Sequence, residues 1–435
     1  TIIDAGCGSG HILVEAFDTL YSIYLEQYAS PREACDSILQ YNIVGVDIDT
    51  RAKQLAQFAL LMKACSYVPE MADCHVMPRV FDMPEPISER EMENLKDTLP
   101  HFFLGGNTKV IKETIEAVEL LQQAQELGSI MKFNVSEATR YAIKTAMENE
   151  NASQFSFYPH LKLMLALTEK YSSVVMNPPY MGAGNMNPIL SKYVKDNYEE
   201  GKADLCTTFM LMQAQRTING GFYANIVPPS WMFLSTFEGL RQTIINNQTI
   251  QSLLHLSRGV FGADFGSVSC VIQNKKTNNA SGIYFRLIER TFQEFDQKHL
   301  QLLFEKTLLN HDFKYLFSDY SKDVTDIIYN EDGAKIYYPN IAQKNFEKIP
   351  GCPIGYYISE KIVNTFSYDT VDMYSKPSKG MMPGSDYLRY LWEVSSKNIE
   401  TNVRTHQQSA SSDLKWYLYL SLIHISEPTR HLRIS

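Results

Sequence analysis

The feature that excludes most architectures is a short apolar run followed at once by alternating glycines, Thr1-Ile2-Ile3-Asp4-Ala5-Gly6-Cys7-Gly8-Ser9-Gly10, leading into His11-Ile12-Leu13-Val14. A buried strand, a nearly side-chain-free turn and a helix satisfy this pattern, because glycines allow tight turns and close backbone approach to a ligand at a helix N-terminus. Asn42-Ile43-Val44-Gly45-Val46 reads as a second short buried strand. After Asp47-Ile48-Asp49-Thr50 comes a helix with Leu55, Phe58, Ala59 and Met62 on one face and Thr50 placed to cap it. Strands alternating with helices at this interval predict right-handed crossovers and a mostly parallel α/β sheet.

The rhythm breaks between about 85 and 170. Ile111, Ile115, Val118 and Leu121 recur at helical spacing up to Gly128, and a second helical pattern fills roughly 136–148. This predicts a helical insertion on one rim of the sheet, with a short third strand around His75-Val76-Met77. The regular pattern returns with a strand at Tyr171 to Met176, a helix from Asp204 through Phe209, Leu211 and Met212, and a strand over 222–227. Ser235-Thr236-Phe237-Glu238 has the form of a capping box. Stretches 253–256, 267–272 and 283–288 read as three more strands, the last two separated by a polar turn, so an antiparallel hairpin is expected to end the sheet. The expected division is an α/β domain over 1–290, a connecting segment over 291–345 and part of a second domain over 346–420.

Seven cysteines and ten histidines show no Cys-x-x-Cys or His-x-x-x-His spacing, so no structural zinc or other metal is expected. No apolar run has the length of a membrane span and no signal peptide is visible, which makes a reducing cytoplasm the expected compartment. The net charge of −9 is not that of a protein that coats nucleic acid, and the clearest basic cluster is the pair Lys275-Lys276. The sequence opens inside a motif without an initiating Met and is read as a segment of a longer protein. Residues 421–435 are set aside, because Ser421 to Arg430 resembles translated sequencing-adapter read-through.

Chemistry concentrates in three loops. The turn Asp4-x-Gly6-x-Gly8-x-Gly10 lacks the Gly-x-Gly-x-x-Gly spacing of nicotinamide dinucleotide sites and suits S-adenosylmethionine, with Asp4 near the donor's amino-acid end; a plain tight turn is the rival reading. Asp47 ends the second strand, where an acid can take both ribose hydroxyls. It lies beyond the usual interval of about 20 residues, with Asp49 next in line, and either acid could instead simply cap the following helix. Asn177-Pro178-Pro179-Tyr180 follows the strand Val174-Val175-Met176. Two prolines fix the backbone so that the Asn177 side-chain oxygen and the Pro178 carbonyl can both accept from an exocyclic amine. Tyr180 offers a stacking face to a base taken out of the duplex, a role that needs no hydroxyl.

These ordered motifs, with Gly45-Val46-Asp47-Ile48-Asp49 and Asp204 and its helix, resemble those of DNA adenine-N6 methyltransferases whose target-recognition domain is C-terminal. More narrowly, Glu126-Leu127-Gly128-Ser129, Trp231-Met232-Phe233-Leu234-Ser235, Gly259-Val260-Phe261 and 346–354 resemble the PglX methyltransferases of BREX phage-resistance systems. The resemblance covers about residues 1–420. It implies a class I, Rossmann-like fold and S-adenosylmethionine as methyl donor. Asn177, Pro178, Pro179 and Tyr180 become the catalytic loop, and Asp4, Gly6, Gly8, Gly10, Asp47 and Asp204 the donor site. The implied partners are double-stranded DNA and other phage-defence subunits. Gly380-Met381-Met382-Pro383-Gly384 resembles the opening of the recognition domain, with Pro383 in place of an expected hydroxyl residue, and the family's aromatic donor-binding motif would precede Thr1. Rival functions are methylation of protein glutamine or of cytosine N4, and a defence scaffold that binds without turnover.

Overall fold

The computed structural model describes the chain except for residues 28, 74, 106, 259, 261–265, 290–293, 321–325, 370, 376–393, 402–406, 409–410 and 418–435. Gly259, Phe261, the Gly380 to Gly384 motif and 421–435 therefore lie outside the described residues. Two compact units divide the chain, Thr1–Tyr368 and Asp369–Ser435. In the second, a short helix Val371–Tyr374 and a parallel pairing of Ile399–Glu400 with Trp416–Tyr417 are described.

The first unit is built on a nine-stranded sheet. Its strands are β1 (Ile2–Asp4), β2 (Ile43–Asp47), β3 (Arg79–Asp82), β4 (Tyr171–Met176), β5 (Thr217–Val227), β6 (Thr249–Leu256), β7 (Ser267–Gln273), β8 (Ser281–Arg286) and β9 (Tyr337–Ala342). Helices α1 (His11–Glu26), α2 (Thr50–Tyr67), α3 (Thr108–Leu121), α4 (Glu137–Met147), α5 (Tyr158–Thr168), α6 (Pro188–Asn197), α7 (Leu205–Arg216) and α8 (Glu238–Asn247) carry the connections used below. The strand order is β9-β8-β6-β7-β5-β4-β1-β2-β3. Strand β1 lies between β2 and β4 and is parallel to both, with Ile3 opposite Val44 on one side and Val174 on the other. The order therefore reverses at β1 and β4, and the loops leaving Asp4, Asp47 and Met176 emerge side by side at the carboxyl edge of the sheet. That is where open α/β sheets bind ligands.

Alternation along β2 assigns its two faces. Val44 and Val46 join the large core beneath the inserted helices, while Ile43 joins the smaller core under α1 and α2. Gly45 faces the second side, where an added Cβ would lie 2.8 Å from Leu13. Gly10, at φ 87°, starts α1 with its α-carbon against Ala56 of α2. These close approaches explain why α2 packs through Ala56, Leu60 and Ala64. Its larger apolar stripe points outward, with Leu55 56 %, Phe58 64 % and Met62 54 % exposed. The cap of α2 is Asp49, whose carboxylate accepts from the Arg51 amide at 2.8 Å, and Thr50 is the first helical residue.

Between β3 and β4 the chain runs through α3, α4, α5 and shorter helices. Leu99, Phe102, Val118, Leu121, Leu161 and Met164 are buried in one core with Ile3, Val46 and Val174. Phe102 meets Phe155 and Phe157 edge-on at 5.4 and 5.3 Å. Burial of each such side chain contributes roughly 1.5–3 kcal/mol, so these helices are fused to the sheet by a shared core.

Five expectations are corrected. The third strand is Arg79–Asp82, after Pro78, and not His75 to Met77. Ser235 to Glu238 forms no capping box: Ser235–Phe237 is a 3-10 turn, and α8 begins at Glu238 with no side-chain cap. The antiparallel hairpin is made by β6 and β7, with β7 inserted between β5 and β6, whereas β8 runs parallel to β6 and β9 closes the edge. Residues 291–345 are not a bare connection, because the helix Gln297–Leu309 buries Leu300 and Leu303 with Phe285, Phe313 and Tyr337 in a third core. No domain break falls at Phe346, which is 1 % exposed in the main core and meets Tyr284 edge-on at 6.0 Å.

Candidate active site

Two of the three loops at the carboxyl edge are tied together by a carboxylate. Asp4 is buried at the end of β1 and accepts from the Gly6 amide at 3.1 Å. Asp47 accepts from the Gly8 amide at 2.8 Å through one oxygen and from the Asp49 amide at 3.0 Å through the other. The glycine turn is thus held to the end of β2, and each Asp47 oxygen keeps a further lone pair for a ligand.

Beside these loops lies a cavity of about 530 Å³ lined by Gly6, Asp47, Ile48, Met83, Asn177 and Pro179, with Glu126 to Ser129, Leu205 and Phe209 completing the wall. The volume is that of a small-molecule site. Its charged lining residues are Asp47 and Glu126, and no Lys or Arg is among the described residues that line it, which suits a cationic ligand. Of the six expected donor-site residues, Gly6 and Asp47 reach this cavity. Gly8 and Gly10 shape the turn behind it. Asp4 organises the turn from beneath.

Asp204 is placed elsewhere. It caps α7, accepting from the Cys206 amide at 3.0 Å, and the same oxygen accepts from the Met181 amide at 3.2 Å. Its task is to pin the segment after Tyr180 to the start of α7, and it lines a second cavity, of about 580 Å³, on the other side of the loop. The wall from Glu126 to Ser129 was missed as a set of site residues. It comes from the inserted helices and is held by Ser129 Oγ donating to the Ala5 carbonyl and by Gln125 donating to the Met83 carbonyl at 3.0 Å. Its signal was already present in the Glu126-Leu127-Gly128-Ser129 motif.

In the loop itself Asn177 and Pro179 are exposed and Pro178 is buried. The Tyr180 hydroxyl lies 2.7 Å from Asn177 Oδ1 and 2.9 Å from the Ile226 carbonyl oxygen. Burial, with smaller contributions from Cys206 and Asp204, pushes this phenol up to about 12, so it keeps its proton. One proton cannot serve two oxygens. A half-turn of the Asn177 amide lets its NH₂ donate to Tyr180, lets Tyr180 donate to Ile226, and leaves Oδ1 to accept from a substrate. The hydroxyl is therefore placed to orient Asn177, a contact additional to the stacking face expected of Tyr180. Tyr180→Phe is expected to retain stacking yet lose roughly fivefold in turnover, about 1 kcal/mol of hydrogen bonding, while Tyr180→Ala loses both. Equal activity of the Phe variant and the parent in a labelled-methyl assay would remove the positioning role.

Asp4 carries a second prediction. Burial raises its carboxyl from about 3.8 to about 7, with the Gly6 amide opposing and Asp47 adding. Because the folded value lies above the unfolded one, the proton stabilises the fold below pH 4, and that stability is lost as pH rises through 7. Asp4→Asn should flatten this dependence, with a ceiling of about 4 kcal/mol at pH 8. Thermal unfolding from pH 4 to 8 measures it, and parallel curves for parent and variant would contradict it.

A mostly parallel sheet in which β7 and the edge strand β9 are reversed, a glycine turn after β1, an acid after β2 and Asn-Pro-Pro-Tyr after β4 define a class I S-adenosylmethionine-dependent methyltransferase fold. The chain belongs to the Eco57I restriction-modification methylase family, whose model matches residues 41–261, just over half of it. It is 30 % identical to the adenine-specific methyltransferase PglX of Lacticaseibacillus casei (strain Zhang), over 96 % of this chain and 34 % of that protein. It is 28 % identical to the adenine-specific methyltransferase BrxX of Escherichia coli O9:H4 (strain HS), over 84 % of this chain and 30 % of that one. The chain thus spans about a third of the length of these curated relatives. Among solved structures it is similar to a nuclease-deletion mutant of the type ISP restriction-modification enzyme LlaGI in complex with a DNA substrate mimic, at 13 % identity and a TM-score of 0.43, covering 70 % of this chain and 23 % of that one.

Proposed function

We propose that this chain carries the catalytic apparatus of a site-specific DNA methyltransferase that moves a methyl group from S-adenosylmethionine to N6 of a flipped adenine, within a phage-defence or restriction-modification system of the cytoplasm. The observation that carries this reading is the meeting of two cavities at one loop: Asn177 and Pro179 line the acidic one, and Tyr180 lines the other. The donor supplies a methyl already activated on cationic sulfur. Gly6 and Asp47 hold it, Asp47 offering its remaining lone pairs to the ribose. Asn177 Oδ1 and the Pro178 carbonyl accept the two hydrogens of the adenine amine, which turns its lone pair out of ring conjugation and toward the methyl. The N–C bond forms as the S–C bond breaks, and the amine then releases a proton to water. Alignment does most of the work, because no bond in the acceptor has to be activated by a separate group. Tyr180 stacks on the base, which must leave the duplex to be reached.

Duplex DNA and further defence subunits are the partners of this reading. No described helix is long and apolar enough to cross a membrane. Modified-base sequencing of DNA from a methylation-free host expressing the full protein tests the reaction. N6-methyladenine at one motif supports the proposal, and N4-methylcytosine or unmodified DNA overturns it.

A further inference from the structure

The second cavity is lined by a buried histidine. His255, near the end of β6, is 6 % exposed and lines the cavity with Tyr180, Ser230 and Phe233. Its ring lies 6.3 Å from that of Phe233. Nδ1 is 3.2 Å from the Tyr356 hydroxyl, while Nε2 is buried with no partner among the described residues.

The proton positions follow from the surroundings. Tyr356 is buried and stacked on Tyr284 at 4.8 Å, and burial holds its phenol well above the ordinary range. The hydroxyl has no other hydrogen-bond partner among the described residues, so it donates to Nδ1. Burial, assisted by Arg286, pushes the imidazole down to about 4, so the ring is neutral at working pH. A neutral imidazole that accepts at Nδ1 carries its hydrogen on Nε2. His255, a residue that lines this cavity, therefore carries a buried N–H donor without an acceptor among the described residues. Such a buried donor is destabilising unless a ligand completes it.

We propose that His255 reads the flipped base, its Nε2–H donating to one of the two ring nitrogens that sit on either side of the exocyclic amine of adenine, N1 or N7. This rests on the methylation reading above. If N1 is the acceptor, guanine is rejected, because its own N1–H meets the His255 donor. Thymine is rejected in the same way through N3–H. Cytosine also places an acceptor beside its amine, so its exclusion falls to the length of the pocket.

The test uses the full protein and duplexes bearing its methylated motif, with adenine, 1-deazaadenine or 7-deazaadenine at the target. N6-methylation of the adenine duplex by the parent is established first, and its absence overturns the reading of the reaction itself, and this inference with it. His255→Ala should then lower kcat/KM on the adenine duplex by about tenfold, the scale of one buried hydrogen bond, with donor affinity unchanged. His255→Gln, which keeps an N–H donor, should recover part of the loss. On the deaza duplex that lacks the acceptor being read, parent and His255→Ala should turn over equally. A His255→Ala variant within twofold of the parent on adenine overturns the proposal while leaving the reaction intact. So does an equal loss on all three duplexes, which would mark a purely structural histidine.

Discussion

Asn177→Ala is expected to lower kcat by roughly 10²–10³-fold, the scale of removing one preorganised polar group aimed at the reacting atoms, while donor affinity stays within twofold. The split follows from position. Asn177 stands at the rim of the acidic cavity, and its amide is held by Tyr180 at 2.7 Å so that one end can face the acceptor amine. On the proposed reading, an alanine would leave the donor's contacts at Gly6 and Asp47 in place and would remove one of the two acceptors for the amine hydrogens. The side chain is exposed, so folding stability should be nearly unaffected. Single-turnover methyl transfer together with donor calorimetry separates the two effects. Wild-type turnover would remove Asn177 from the chemistry, and a matching loss of donor affinity would move it to the donor site.

Asp47→Ala should show the opposite split. Its carboxylate lines the cavity and accepts from the Gly8 and Asp49 amides at 2.8 and 3.0 Å. Losing a charge-assisted hydrogen bond to the donor costs about 1.5–3 kcal/mol, roughly a ten- to hundredfold weaker Kd. The two amides left without an acceptor lower thermal stability as well, and Asp47→Asn, which keeps one acceptor oxygen, should restore part of that stability while donor affinity remains weak. Capping of α2 does not enter, because Asp49 performs it. Unchanged donor affinity beside a lowered Tm would reduce Asp47 to a tie between loops.

The parts of this fold legible in the sequence are those where backbone geometry demands a particular residue. Gly10 must take a positive φ against Ala56, and a strand ending in Asn177-Pro178-Pro179-Tyr180 has few alternatives. The parts that were misread depend on what lies across from a segment. The third strand hides because its ends are Arg79, paired with Glu169 at 3.0 Å, and Asp82, paired with Lys53 at 2.8 Å, so no apolar run marks it. On α2, periodicity finds the face of Leu55, Phe58, Ala59 and Met62, whereas the closeness of α1 selects a smaller stripe, Ala56, Leu60 and Ala64, for burial. Phe285, Phe313 and Tyr337 form the third core from three separate stretches with no shared period. Gly6, Asp47 and Asn177 meet at one cavity because each follows a strand of the sheet directly. Asp204 caps α7 and accepts from the Met181 amide, two contacts that its place before an apolar helix does not distinguish from contact with a ligand.

On the proposed reading, the Asn177 to Tyr180 loop delivers a methyl group to adenine N6. Incubating the full protein with DNA and S-adenosylmethionine carrying a deuterated methyl, then digesting both DNA and protein for mass spectrometry, tests it most directly. Label confined to N6-methyladenine, and lost in Asn177→Ala, is the predicted result. Label in N4-methylcytosine or protein glutamine, or label in adenine that persists in Asn177→Ala, would contradict it.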